Sequence, residues 1–254
     1  MKKGYLGVVA MLVLFVGILM PIATTLAQET GTAPAEGQAE VARSITLGSL
    51  VKQGGPFMYP LGLFSVAMFY FIIRNAMLLR EKNMLREDLK TQIEDLMSQR
   101  NVSGIRQLCA DNDSLLTAVL DAGMERISEE HEYDAPHVME AIEEAGNEQM
   151  VTFMKPINVL SIIGGTAPML GLLGTVSGMM KAFQTIAAGN MGNPERLAGD
   201  IGEALITTAT GLMIAIPAMI AYFVFKNNFI KSMSTMGRLV GHYLNIYRYA
   251  KIKD

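Results

Sequence analysis

Two long, charge-free apolar stretches joined by a short polar segment constrain this chain more than any other feature of its sequence. The first runs from Pro156 to Met180 and the second from Ala204 to Phe225, and neither contains Lys, Arg, Asp or Glu. Each exceeds the roughly 20 residues that a helix needs to cross a bilayer. We therefore predict two membrane-spanning helices joined by a turn centred near residue 192.

Small residues recur at spacings of three and four in both stretches, so each set lies on one stripe of its helix. In lipid the pairing of helices gives no hydrophobic gain, and close backbone packing has to supply the attraction. The two stripes are therefore predicted packing faces. They consist of Gly164, Ala167, Gly171, Gly174 and Gly178 in the first stretch, and Ala204, Thr208, Gly211, Ala215 and Ala218 in the second.

Two pairs of polar residues lie at matching distances from the turn. Thr175 and Thr208 form one pair, and Lys181 and Glu203 form a possible ion pair about 9 Å nearer the turn, at ~1.5 Å per residue. The depth match favours two hydroxyls at one level of the bundle. Two alternatives stay open, because threonines in helices also bond back to their own carbonyls and charges near a span end also reach water.

Composition excludes several classes of function. Half of the 254 residues are hydrophobic, the net charge is −3, and no basic stripe is present, which argues against nucleic-acid binding. No phosphate-binding loop or nucleophile elbow occurs, and Cys109 is the single cysteine. The spacing of Asp134 and His137 is better explained by a helix cap than by a metal site. We therefore expect neither enzyme activity nor a metal nor a cofactor.

The N-terminal region has the pattern of a secretory signal peptide. Residues 1–27 have the charged beginning, apolar run and small-residue exit of a signal peptide, with an uncleaved span as the alternative. Residues 28–53 are too poor in large apolar groups to form a core, and we expect an extracytoplasmic leader that ends in a short surface helix. Residues 54–73 are apolar for about one membrane thickness and predict the first mature span.

The distribution of basic residues predicts the topology. Four basic residues follow the first span: Arg74, Arg80, Lys82 and Arg86. Basic residues also follow the last span, whereas Arg196 is the single basic residue of the predicted periplasmic turn at 188–199. The positive-inside rule then places the N-terminus in the periplasm and the C-terminus in the cytoplasm of an inner-membrane protein. The second and third mature spans are expected at 156–187 and 200–225.

Residues 74–155 predict a cytoplasmic helical region. Leu78, Leu85, Leu89, Ile93 and Leu96 share a face, so the first span is expected to continue as one long helix. Ser103-Gly104 predicts a break, Asp113 a cap for a helix through about Ile127, and Asp134 with Pro136 the start of a further helix. Residues 226–254 predict a cytoplasmic C-terminal helix, amphipathic to Tyr249, that packs against this region.

The two apolar stretches and the turn that joins them resemble the ExbB/TolQ/MotA proton-channel family, and ExbB within it. The residues that carry the resemblance are the run APMLGLLGTVSGMM from Ala167 to Met180, the run IGEALITTATGL from Ile201 to Leu212, and the segment AIPA from Ala215 to Ala218. The two long motifs occur in the same order as in the family and are separated by a similar number of residues. Three mature spans favour ExbB or TolQ over motility-type members, which usually have four.

The resemblance implies an all-α membrane protein that assembles as a pentameric ring around a dimer of an ExbD-like single-span partner. In that family the threonines matching Thr175 and Thr208 line the inner pore, and the glutamate matching Glu203 is a functional pore residue. Proton flow through an aspartate of the partner would drive its rotation and transmit force to a TonB-like envelope protein. A TolQ-like or motility-type stator and a non-conducting membrane scaffold are the alternatives.

Overall fold

The computed structural model describes residues 54–80, 84–127, 134–187 and 194–250, and the regular elements in these ranges are all helical. This confirms the predicted all-α class. The predicted signal peptide at 1–27 and leader at 28–53 lie outside the described residues. So do residues 188–193 of the predicted turn.

The described residues form six α-helices and one short 3₁₀ turn, Glu87–Leu89. The helices are α1 Met58–Leu78, α2 Lys90–Ser98, α3 Val102–Ala110, α4 Leu115–Glu125, α5 Ala135–Ala187 and α6 Pro194–Tyr249. Helices α1, α5 and α6 are long and apolar enough to cross a membrane, which agrees with the three predicted spans. Helix α6 begins at Pro194 and so includes residues that were expected in the turn, since proline is favoured at the first helical position.

The chain divides into two compact units. Among the described residues, the span unit comprises residues 54–69 together with those within Ser161–Ala221, and the polar unit comprises those within Tyr70–Leu160 and residues 222–250. Helices α5 and α6 each contribute residues to both units.

In the span unit, α5 and α6 meet along the small-residue stripes. Nine of the ten stripe residues are buried, and Thr208 is half-buried. A Cβ added at Gly211 would lie 2.6 Å from the carbonyl oxygen of Ala167, and one added at Gly171 would lie 3.0 Å from the Thr208 Cα. The two backbones therefore approach to a distance that leaves no room for a side chain.

In the polar unit, the C-terminal part of α6 packs through its apolar face. The Phe229 ring stacks on Phe153 with centroids 5.7 Å apart, and the Arg100 guanidinium lies 4.5 Å from the ring centre of Tyr247. Tyr243 is fully buried. The cation–π contact and the stacked rings hold the end of α6 against α5 and the α2–α3 connection.

The predicted continuation of the first span as one long helix is wrong. Helix α1 ends at Leu78, and the chain reaches α2 only after a 3₁₀ turn preceded by Arg86 at φ +42°. The Arg86 guanidinium bonds to the side-chain oxygens of Asn112 at 2.7 Å and Asp88 at 3.1 Å. Leu85, Leu89 and Ile93 are buried although the chain turns at Arg86, whereas Leu78 of the same predicted face is exposed. Tertiary packing thus outweighs local periodicity here.

Two further local predictions need correction. Ser103-Gly104 does not break the chain: it lies in the first turn of α3, where the Asn101 side chain accepts a hydrogen bond from the Gly104 N–H at 2.8 Å. The break precedes it, at Arg100 with φ +54°. Helix α4 is capped by Ser114 rather than Asp113, in a reciprocal capping box with Thr117, and it ends at Glu125.

Asn75 joins α1 to α5 inside the polar unit. Its side chain is fully buried and donates from Nδ2 to the carbonyl oxygen of Pro156 at 3.1 Å. Pro156 lies within α5 and has no N–H of its own to give to the helix. The amide therefore ties the end of α1 to the proline-containing turn of α5.

Replacing Asn75 with aspartate should destabilise the protein more than replacing it with alanine. Asn75→Asp sets an acceptor-only group against a carbonyl oxygen, whereas Asn75→Ala removes one hydrogen bond at a cost of about 1 kcal/mol. Thermal melting of the detergent-solubilised protein measures both. Equal melting temperatures for the two variants and the wild type would contradict the role of this amide.

Adding one methyl group at Gly211 should lower the melting temperature by roughly 3–10 °C, because overpacking at a tight contact costs about 1–3 kcal/mol. The matched control is Gly202→Ala on the same helix, since a Cβ there meets nothing within 4 Å. Alanine is the better helix former, so the control should melt at the wild-type temperature or above it. A Gly211→Ala variant as stable as Gly202→Ala would show that the close approach is not needed.

Candidate functional site

Thr208 forms a hydrogen bond between the two long helices. Its Oγ1 donates to the carbonyl oxygen of Gly171 at 2.9 Å. Threonines in helices usually bond back to a carbonyl of their own helix. Here the absence of a side chain at Gly171 brings the carbonyl of the neighbouring helix within reach instead.

Thr175 makes the more usual bond. Its Oγ1 donates to the carbonyl oxygen of Leu172 on its own helix at 2.7 Å. It lies at one end of a shallow apolar groove along α5. The other residues that line the groove are Val176, Met179, Met180, Phe183, Gln184 and Ala187.

The two predicted pathway threonines thus have different environments. Thr208 belongs to the α5–α6 contact, whereas Thr175 opens onto the groove on α5. The proton of each hydroxyl is already given to a backbone carbonyl, so each oxygen presents lone pairs to an incoming donor. The hydroxyls can therefore accept a hydrogen bond from a protonated group, but neither can serve as an acid by itself.

Glu203 and Lys181 form the ion pair that their positions allowed. Lys181 Nζ lies 2.8 Å from Glu203 Oε1, a distance typical of a charge-assisted hydrogen bond. The Glu203 side chain is 19% exposed and that of Lys181 is 43% exposed. The pair is half-buried and lies at the end of the span unit nearest the connection between α5 and α6.

Two neighbours of these residues had no contact predicted from the sequence. Thr207 is buried beside Gly174 and bonds back to the Ala204 carbonyl at 2.8 Å. Gly55 lies against the Glu203 carboxylate. The Gly54-Gly55-Pro56 run was a usable signal for a special backbone conformation, but nothing in the sequence indicated what would pack against it.

The polar unit contains two groups that the sequence offers for chemistry, the Cys109 thiol and the pair of His137 with Asp134. Burial, followed by the nearby charge of Asp121, raises the pKa of the Cys109 thiol to about 12, so it stays protonated at neutral pH. His137 Nδ1 lies 2.6 Å from Asp134 Oδ2 at the exposed start of α5. Among the described residues, no three His, Cys, Asp or Glu side chains are grouped to hold a metal ion.

Comparison with known proteins gives one family match and several named relatives. The profile of the MotA/TolQ/ExbB proton channel family matches residues 111–237, half of the chain, and includes Thr175, Lys181, Glu203 and Thr208. The protein named putative biopolymer transport protein ExbB-like 1 of Synechocystis sp. is 28% identical over 179 residues, which cover 67% of this chain and 66% of that protein.

Shorter matches have higher identity. The biopolymer transport protein ExbB of Pseudomonas putida is 51% identical over 70 residues, 28% of this chain and 21% of the relative. The biopolymer transport protein exbB1 of Vibrio cholerae is 38% identical over 103 residues, 40% of this chain and 45% of the relative. The matched parts thus span between about a fifth and two thirds of these relatives.

The match and the three apolar helices together identify a multi-pass membrane protein similar to ExbB. The profile covers the small-residue stripes of α5 and α6 and the Thr208 hydrogen bond between these helices. The chain belongs to the MotA/TolQ/ExbB proton channel family.

Proposed function

We propose that this protein is an ExbB-like inner-membrane proton-channel subunit that couples the proton motive force to mechanical work on an envelope transport system. The family membership and the names of its relatives support this function. The structural observation that carries it is the Thr208 hydroxyl, which is fixed by the Gly171 carbonyl in the interior of the α5–α6 pair. A polar oxygen at this depth is costly unless it serves packing or transport.

The proton carrier has to come from another chain. Neither the stretch from Pro156 to Met180 nor the stretch from Ala204 to Phe225 contains Asp, Glu, His, Lys or Arg. Thr175 and Thr208 supply acceptor oxygens, and Glu203 supplies a carboxylate nearer the turn. A single-span, ExbD-like partner with a membrane aspartate would complete the pathway, because its protonated carboxyl can donate to these oxygens.

Five copies of the chain would surround a dimer of that partner, and rotation of the partner would transmit force to a TonB-like envelope protein. The exposed apolar groove that begins at Thr175 supports an assembly in which α5 faces other helices or lipid. The basic residues after α1 and in the last part of α6 support a periplasmic N-terminus and a cytoplasmic C-terminus.

A non-conducting scaffold is the competing function. It is favoured by the back-bonded hydroxyl of Thr175 and by the extent of the glycine contacts, both of which helix packing alone would explain. A TolQ-like or motility-type stator would share the pathway and differ in the protein on which it acts.

Removal of the two hydroxyls distinguishes conduction from packing. Thr175→Val and Thr208→Val should each lower proton flux by about tenfold or more, because a hydrogen bond to the carrier is lost while side-chain shape is kept. Flux is measured in proteoliposomes of the complex purified with its co-purifying proteins, with a pH-sensitive dye and an imposed potential.

The matched control is Thr166→Val, since Thr166 also lies in the apolar part of α5 and bonds back to the Ile162 carbonyl at 2.7 Å. It should leave flux unchanged. Wild-type flux in the Thr175→Val and Thr208→Val double variant would refute the pathway, and a loss of melting temperature without a loss of flux would support the scaffold.

Native mass spectrometry of the gently extracted complex tests the assembly. We expect five copies of this chain with two copies of a small protein that has one apolar span and an aspartate within it. A stable complex without such a partner would leave the spans with no proton carrier and would overturn the channel proposal.

A further inference from the structure

The Glu203 carboxylate contacts two other segments of the span unit, α5 and the turn at Gly55. Lys181 of α5 donates to Oε1 at 2.8 Å. The α-carbon of Gly55 also packs so closely that an added Cβ would overlap the same Oε1 and lie 2.7 Å from Cδ. Gly55 has φ +65°, a conformation that glycine adopts without strain. One carboxylate oxygen therefore lies close to both an ammonium group and a glycine backbone.

Tight helix packing sets the distance within this ion pair. A Cβ added at Gly178 would lie 2.7 Å from the Ala204 Cβ, so the helices touch one turn from Lys181 and next to Glu203. The buried Ala182 follows Lys181 on the same helix. Since small residues flank both members, the lysine side chain reaches its partner without displacing a large neighbour.

Lys181 pairs with Glu203 although a second acid is close by. Asp200 lies one turn before Glu203 on α6, and its Oδ2 is 3.4 Å from Thr185 Oγ1. Thr185 in turn donates to the Lys181 carbonyl oxygen at 3.0 Å. The Thr185 hydroxyl thus contacts both the backbone of α5 and Asp200, while the Lys181 ammonium group bonds to Glu203.

We propose that Lys181 is the positioning residue for Glu203: its ammonium group and the Gly55 turn fix the carboxylate at one place, nearer the α5–α6 connection than the threonines of the proton pathway. This rests on the proposed function, in which Glu203 takes part in proton movement. Glu203 is five residues from Thr208, roughly 7.5 Å along the helix axis. Without its counter-charge the largely buried carboxylate loses the interaction that offsets its desolvation in that place.

The test uses four variants of the complex purified with its co-purifying proteins and reconstituted in proteoliposomes. Lys181→Met removes the charge and keeps the length, whereas Lys181→Arg keeps the charge. Glu203→Gln removes the partner, and the fourth variant combines Lys181→Met with Glu203→Gln. Lys155→Met, at an exposed lysine of the same helix in the polar unit, is the control.

We expect Lys181→Met to lower proton flux by about tenfold, the effect of losing one hydrogen bond to a charged group. Lys181→Arg should restore most of the flux, and Lys155→Met should leave it unchanged. In the Glu203→Gln background, Lys181→Met should have no further effect, because the residue acts through Glu203.

An exchange of the two charges separates positioning from simple stabilisation. The double variant Lys181→Glu with Glu203→Lys keeps an ion pair but moves the carboxylate to α5. It should regain the melting temperature lost by Lys181→Met while its flux stays low. If the exchanged pair conducts like the wild type, the place of the carboxylate does not matter and the positioning role is wrong.

The outcomes also separate this inference from the proposed function. Wild-type flux in Lys181→Met, together with low flux in Glu203→Gln, would overturn the role of Lys181 and leave the channel intact. Wild-type flux in Glu203→Gln would overturn the role of Glu203 and that of Lys181 with it. A reconstituted wild-type complex without flux would refute the channel itself.

Discussion

The close approach of α5 and α6 along their small residues is the contact on which the rest of the span unit depends. Lipid solvates an apolar side chain as well as a protein interior does, so two membrane helices gain little from burying such side chains against each other. They gain from backbones that touch over many atoms, and the contacts at Gly171, Gly178 and Gly211 provide this. The Thr208 hydrogen bond and the Lys181–Glu203 ion pair both require that proximity.

These two polar contacts differ in kind. The hydroxyl of Thr208 reaches a carbonyl of the facing helix and stays neutral, whereas Lys181 and Glu203 bring full charges together near the end of the spans. Neutral hydrogen bonds are tolerated at depth, and charges are tolerated where they pair or approach water. The same energetics favour the proposed arrangement, in which a second chain carries the titratable group past these residues.

The long helices were predictable because they depend on properties of the linear sequence. Freedom from charge, length and the spacing of small residues predicted α5, α6 and the stripe residues that prove to be buried in their contact. The polar unit was less predictable. Leucines at helical spacing suggested one continuous helix after the first span, but Leu85 and Leu89 are buried on either side of a turn at Arg86. Periodicity identified several of the side chains that are buried, but it cannot distinguish a straight helix from a chain that turns between them.

By itself, the sequence determined the helical class, the three apolar helices, the stripes of small residues and the possible pairing of Lys181 with Glu203. Its motifs also pointed to the family. Only the tertiary structure decided that Thr208 bonds across the helix pair while Thr175 bonds back, since the Thr208 backbone lies against Gly171 of the facing helix. It alone brought Gly55 against Glu203 from a distant segment of the chain. Such contacts depend on how helices are rotated and spaced, and no local pattern of residues encodes those quantities.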